Sequence, residues 1–301
     1  MINITLKQLR YFVALARLGH FGHAAGASSI SQPALSMQIK DLEETLGTTL
    51  FERGGRNVRL TALGGQFAER AREILRAVDE LGDLARAAQG RLAGRLRVGI
   101  IPTIAPYLLP SIVARLNSRH AGLDIHIRET LTGRLLRELD EGQLDTAIVA
   151  LPVSEPSLIE VKLFSENFVL IRPATDADKP VPGPEGLHDL RLLLLEEGHC
   201  FRDQALSFCD ASRAFPRDGL DGSSLSTLVQ MVGAGMGVTL IPEMAVAVET
   251  RSASVSVARF ADPQPSRMIG MIWRKSSPLA EQLTQIADTV RQAGLDLRPV
   301  G

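Results

Sequence analysis

At 301 residues, 45% of them hydrophobic and 22% charged, the chain is long enough for two or three compact domains and has an ordinary soluble globular composition. A formal net charge of −1 excludes a globally basic nucleic-acid binder, but not a local basic patch, which is all that phosphate contacts need. No apolar run approaches the about 20 residues that span a bilayer, and the opening MINITLKQLR lacks a basic stretch followed by an apolar core, so a cytoplasmic location with no membrane partner is expected.

From Met1 to Leu60, seven Lys/Arg stand against four acids, and Arg53, Arg56 and Arg59 crowd into seven residues. Leu9, Phe12, Val13 and Ala16 recur at helical spacing, as do Phe21, Ala24 and Ala25, which predicts two short amphipathic helices broken at Gly19 and His20. A third helix begins at Ser31, a good N-cap, with Pro33 tolerated in its first turn. Its buried face is Leu35, Ile39, Leu42 and Leu46; Pro33, Ser36, Met37 and Lys40 lie opposite, with Gln32 at the exposed N-terminal end. Short helices with small residues where the second one packs, followed by a polar-tipped third, form the pattern of a helix-turn-helix. Such a tip can read base edges: Gln32 bidentately to adenine, Ser36 as an adaptable donor and acceptor, Pro33 or Met37 against thymine methyls. Lys40 is equally a DNA contact or a solvated surface lysine.

Beyond Thr61, residues Phe67, Ala71, Ile74, Val78, Leu81, Ala85 and Ala88 keep a coiled-coil spacing, with arginines and acids at most other positions. A stripe this narrow needs a partner, either a second copy, giving at least a dimer, or the chain's own C-terminal domain. Gly90 to Gly94 ends that helix. Strands are expected at Leu96–Ile101, Leu123–Arg128 and Thr146–Leu151, alternating with helices at Tyr107–Asn117 and Arg134–Asp140, the pattern of a parallel, doubly wound sheet. A second set follows from about Val161: Val169–Arg172, a proline-rich loop from Pro180 to Pro184, Leu192–Leu195, a cysteine segment, a helix Leu225–Ala234 and a strand Val238–Ile241. Met268–Trp273 and a helix Leu279–Gln292 close the chain. A ligand in such a fold sits between the halves at the C-terminal ends of strands. Thr103 follows the first strand and precedes a helix, where free N–H groups favour a polar guest. Thr132 follows the next strand. Either hydroxyl serves as well as a cap or turn.

Both cysteines lie in HCFRDQALSFC, His199 to Cys209, which suits a short helix after Gly198. In a helix, Cys200 and Cys209 would be separated by roughly 13.5 Å along the axis and about 180° around it. A disulfide needs Cα atoms within about 7 Å, so bridging requires local unwinding. Arg202 and His199 can stabilise a thiolate, the reactive form, at Cys200. The plain alternative is a small buried hydrophobe. His199, Cys200 and Cys209 lack a fourth zinc ligand at recognised spacing, so neither metal nor cofactor is expected.

The run Leu192 to Cys209, with Gly198, His199, Arg202, Asp203 and Gln204 in place, closely resembles the redox segment of peroxide-sensing LysR-type transcriptional regulators. Phe21, Ala24 and Ala25, then SQPALSMQIKDLEETLG, LFER, Arg56 and LTALG follow the winged helix-turn-helix of that family, with Ser28 departing from its usual apolar residue. A looser core or a neighbour filling the gap is expected there.

The resemblance implies an α/β protein with an N-terminal all-α winged helix-turn-helix (1–61), a linker dimerisation helix and hinge (62–93), and a regulatory domain (94–301). The last has two Rossmann-like subdomains of periplasmic-binding-protein type, about 94–164 with 268–301, and about 165–267. Arg53 and Arg56 would form a wing gripping phosphate or the minor groove.

It further implies that hydrogen peroxide oxidises Cys200 and that Cys209 resolves the product into a disulfide. Thr103 and Thr132 would help place peroxide, Arg267 in PSRMIG would support the thiolate, and Asp203 would orient the polar network. Partners implied are a double-stranded DNA operator, a homodimer or homotetramer, RNA polymerase and a thiol reductant such as glutaredoxin. Two rivals differ in the stimulus or the class: a LysR-type regulator with an organic inducer, and a thiol peroxidase. The second leaves residues 1–90 without a purpose and lacks Cys-x-x-Cys, so no enzymatic activity is expected.

Overall fold

The computed structural model describes residues 3–52, 58–87, 93–183, 185–208 and 221–297, and the chain divides into two compact units, Met1–Ala85 and Arg86–Gly301. Arg53, Arg56, Cys209, Ala88 and Pro184 lie outside the described residues.

In the first unit Thr5 starts α1 (Leu6–Leu18) with a reciprocal cap: its hydroxyl accepts from the Gln8 N–H while its own N–H donates to the Gln8 side chain at 3.0 Å. The break falls at Gly19 and His20, and the His20 ring caps α2 (Phe21–Ala27) by accepting from the Gly22 N–H at 3.0 Å. Ser31 caps α3 (Gln32–Leu46), whose Leu35, Ile39 and Leu42 are buried. Phe12 organises the core, with Phe51 and Phe67 ring centroids at 5.1 and 5.0 Å. Ser28 is the C-cap of α2, and Ile30, two residues on, packs against that core. Strands β1 (Phe51–Glu52) and β2 (Arg59–Leu60) pair antiparallel, bracketing residues 53–57.

Helix α4 (Ala62–Ala87) carries the predicted seam, but its two halves differ. Phe67 and Ala71 complete the core of the first unit. Further along, Ile74 is 48% and Leu81 65% exposed, an apolar edge without cover.

In the second unit β3 (Gly94–Ile100), α5 (Ala105–Arg119), β4 (Leu123–Glu129), α6 (Thr132–Asp140) and β5 (Thr146–Leu151) alternate, and β3 pairs parallel with both β4 and β5. The long β6 (Leu158–Pro173) then carries the chain out of this core: Leu163 and Phe164 belong to it, whereas Phe168 to Ile171 belong to a second core. That second core holds β7 (Leu192–Leu195), α7 (Cys200–Phe208), β8 (Asp221–Gly222), α8 (Leu225–Gly233), β9 (Val238–Pro242), the short α9 (Val246–Glu249) and β10 (Val255–Arg259). The chain returns along β11 (Ser266–Arg274) and ends in α10 (Ala280–Asp296), packed on α5.

Among the described residues nine strands form the sheet of this unit: eight follow the order β4-β3-β5-β11-β6-β9-β7-β8, and β10 pairs with β6 off that path. The expected parallel pairing holds for β3 with β4 and β5, and β7 is parallel to β8 and β9, but the sheet as a whole is mixed. β11 lies antiparallel between β5 and β6, and β6 runs antiparallel to β9 and β10. A strand that brings the chain back must run opposite to the one that carried it out. The sequence reading missed β10, whose V-S-V-A-R alternation was the available signal.

Gly64, in the LTALG stretch, sits where a Cβ would overlap the Leu50 carbonyl oxygen. That oxygen accepts from the Thr61 N–H at 3.0 Å and has no room to retreat. Gly64→Ala is therefore expected to destabilise the first unit by about 1–3 kcal/mol, the cost of overpacking. A urea titration of the full chain followed by circular dichroism measures it.

Candidate functional site

Two surfaces carry the sequence-predicted residues. In the first unit Gln32, Pro33, Ser36 and Lys40 are all exposed along one face of α3, and Met37 joins them at 57% exposure. The opposite face, Leu35, Ile39 and Leu42, fixes that presentation by burial. Lys40 pairs with Glu44 at 3.3 Å, but both side chains are more than 60% exposed, so the pair contributes at most a few tenths of a kcal/mol and leaves the lysine available.

Sequence reasoning missed Glu43. It is buried, and its carboxylate accepts from the Leu50 and Phe51 N–H groups at 2.7 and 3.1 Å, fixing the start of β1. Its position four residues after Ile39, on the apolar face, was the signal.

In the second unit the cysteine segment begins where the chain turns sharply. Gly198 has φ +94°, and a Cβ there would stand 3.1 Å from Leu131. Helix α7 follows, anchored by buried Phe201 and Ala205, with Phe201 edge-on to Phe168 at 4.9 Å. Cys200, a half-buried free thiol, opens onto a cavity of about 670 Å³ that is also lined by Thr132, Asp203, Gln204 and Arg267. Thr132 Oγ1 and Gln204 Oε1 are buried there with no hydrogen-bond partner among the described residues. Buried polar atoms without a partner are uncommon, which sets Thr132 and Gln204 apart among the residues that share this cavity with the thiol.

Arg267 forms the floor. Its side chain has no solvent exposure, and β-sheet register sets it directly opposite Glu166. Nε donates to Glu166 at 2.8 Å, while Nη1 and Nη2 donate to the Thr103 hydroxyl and carbonyl at 2.8 and 3.0 Å. The guanidinium lies 5.4 Å from the ring of Phe201, the neighbour of Cys200. Glu166 is the second residue that sequence reasoning missed; its other oxygen accepts from the Met244 N–H at 3.1 Å.

The remaining predicted residues lie elsewhere. Thr103, besides holding Arg267, lines a second cavity of about 420 Å³ together with His199, Tyr107, Thr130, Ser224 and Glu249. Burial holds the His199 imidazole below its ordinary pKa against the opposing pull of Glu196, which favours the uncharged ring. Tyr107 donates to Glu249 at 2.7 Å, and burial, then that bond, push its phenol up. Arg202 lines neither cavity: it donates to the Leu195 carbonyl at 2.7 Å and to Asp221 at 2.8 Å.

The helix itself limits the thiol chemistry. Cys200 and Phe208 bound α7, so their Cα atoms are about 12 Å apart. The two ends of α7 are thus farther apart than the ~7 Å that a disulfide spans, and Cys209, the next residue in sequence, lies outside the described residues.

Comparison with known proteins gives matches along nearly the whole chain. Residues 6–65 match the bacterial regulatory helix-turn-helix proteins of the lysR family, and residues 89–294 match the LysR substrate binding domain. A probable hydrogen peroxide-inducible genes activator of Streptomyces viridosporus is 43% identical over 97% of this chain and 95% of its own length. A full-length OxyR variant from Pseudomonas aeruginosa is 38% identical, covering 96% of this chain and 95% of that one, with a TM-score of 0.75. A Corynebacterium glutamicum OxyR cysteine-to-serine variant with hydrogen peroxide bound is 37% identical, covering 98% and 94%, with a TM-score of 0.68.

Glu166→Ala would leave the Arg267 guanidinium buried without its carboxylate. The expected loss is about 3–5 kcal/mol, read as a lowered midpoint when the full chain is unfolded in urea. Glu166→Gln, which keeps an acceptor for Nε, is expected to lose less.

Proposed function

Because the chain belongs to the LysR family of bacterial transcription regulators, we propose that it binds operator DNA and is activated by hydrogen peroxide through a Cys200–Cys209 disulfide. The observation that carries this reading is the position of Cys200: a half-buried free thiol at the first turn of α7, on a cavity that Thr132, Gln204 and Arg267 also line.

The Cys200 thiolate attacks one peroxide oxygen; the S–O bond forms, the O–O bond breaks, and the departing hydroxide takes a proton to become water. Sulfur has lost two electrons and stands as a sulfenic acid. The Cys209 thiolate then attacks that sulfur: the S–S bond forms, the S–O bond breaks, and the departing hydroxide takes a proton to become a second water. Thr132 and Gln204 hold the peroxide. Arg267 acts from the floor, positively charged and fixed. His199, whose burial disfavours the charged ring, neighbours Cys200 in sequence and faces the second cavity. Arg202, tied to Leu195 and Asp221, acts as an anchor that oxidation of α7 pulls on, and Asp203 orients the rim of the cavity. The protein is consumed once per peroxide, a reagent rather than a catalyst, until exchange with a cellular thiol such as glutaredoxin restores it.

On the DNA side Gln32, Pro33, Ser36 and Lys40 enter the major groove, and Arg53 and Arg56 grip the backbone from the wing. The uncovered seam of α4 at Ile74 and Leu81 pairs two copies, and two such pairs make a tetramer. Unwinding of α7 alters how the regulatory domains associate, and with them the spacing of the DNA-binding pairs and contact with RNA polymerase. The protein works in the cytoplasm. The cavity at Thr103 and His199 favours one alternative, control by a small organic inducer.

DNA footprints of reduced and peroxide-treated full-length protein, on operator fragments selected from random DNA, decide between the two. A footprint that changes on oxidation in the wild type and not in Cys200→Ser is expected, together with a Cys200–Cys209 linkage by mass spectrometry. Identical wild-type footprints would overturn the proposal. Gln32→Ala is expected to lose about 1–3 kcal/mol of base discrimination. Arg53→Ala should instead weaken all sequences and flatten the salt dependence by about 0.9 in log–log slope.

A further inference from the structure

Gln32 stands at the exposed tip of α3, and what borders its amide comes from the helix before it. Gly22, the second residue of α2, has no side chain, and two neighbours close in on the room this leaves. A Cβ added there would stand 3.1 Å from Cε1 and 3.3 Å from Nδ1 of His20, and 3.4 Å from Oε1 of Gln32. All three distances lie inside the ~3.5–4.0 Å at which non-bonded carbons rest, so a side chain at this position would force one neighbour to give.

The two neighbours are not equally free to move. His20 Nδ1 accepts from the N–H groups of Gly22 and His23 at 3.0 and 3.4 Å, and its ring lies beside that of His23 with centroids 4.7 Å apart. Backbone donors and a second ring thus hold the imidazole from two sides. Gln32 is exposed on a long, flexible side chain. Anything that fills the space over Gly22 therefore displaces the Gln32 amide first. Reading adenine bidentately requires the amide oxygen and nitrogen to meet N6 and N7 together, which leaves little tolerance for such a displacement.

We propose that Gly22 is a specificity-determining position of the DNA-binding unit: its missing side chain, backed by the His20 ring, sets where the Gln32 amide stands when it meets a base edge. The inference rests on the base reading assigned to Gln32 above and adds the residue that aims it. Gly22 acts through Gln32, as a positioning residue.

The test uses the full-length protein and duplexes that it selects from random DNA, with each of the four base pairs placed in turn at the position where Gln32→Ala loses its preference. Binding is measured by fluorescence anisotropy. Gly22→Leu, whose side chain takes the place of the Gln32 amide, is expected to lower discrimination at that base pair about tenfold, within what one bidentate contact supplies. Preferences at other positions and the slope of log affinity against log salt are expected to stay as in the wild type. In the Gln32→Ala background, Gly22→Leu is expected to change base preference no further, because the two residues act as one unit.

Gly22→Ala, which replaces a helical glycine by the best helix former and so leaves α2 intact, is expected to lower the same discrimination about threefold. It decides the matter should Gly22→Leu fold poorly by circular dichroism. The inference is overturned if the folded variants keep wild-type discrimination, if they weaken all sequences equally, or if Gly22→Leu still shifts the preference in the Gln32→Ala background. Retained discrimination in the Gly22 variants alone sinks only this inference; an unchanged base preference in Gln32→Ala sinks the base-reading role of Gln32 and this inference with it.

Discussion

Arg267 brings a full positive charge to a position with no solvent exposure, and the chain meets it with a carboxylate, a hydroxyl, a carbonyl and an aromatic face. Those four partners come from β6, from the turn after β3 and from the start of α7. A guanidinium removed from water costs several kcal/mol unless its donors are met. The segments that meet it are therefore held in a single arrangement. Because Phe201 is one of them, the residue next to Cys200 is positioned by the same charge. The thiol cavity thus inherits its shape from a buried ion pair on neighbouring strands.

Above that floor lies α7, nine residues long, with Phe201 and Ala205 fully buried and Arg202 tethered to Leu195 and Asp221. The switch proposed above asks this helix to open, while the Arg267 network would keep the strands beneath it in place.

The same division between rigid support and presented face recurs in the first unit. Leu35, Ile39 and Leu42 lock α3 from below, Glu43 ties it to the start of β1, and the exposed side of α3 keeps its polar and small residues clear. The seam of α4 is split in the same manner, one half closing a core and the other exposed, the face proposed above to meet a second copy. Each unit buries what it needs for its own stability and leaves a defined surface for an encounter.

Much of this was legible in the sequence. Apolar spacing located every major helix and most strands, the Ser31 cap gave the start of α3, and Gly198 marked the start of the helix that carries Cys200. Such features are local: periodicity encodes which face of an element is buried, and caps encode where it begins. The direction of β6 and β11, the roles of Glu43 and Glu166, the division of His199 and Cys200 between two cavities and the turning of Arg202 toward Asp221 were not legible. Only the tertiary structure decided them. Arg267 meets residues 101 and 164 positions away, and the partner of a buried charge is selected by strand register and burial after the whole sheet has assembled, information that no local pattern carries.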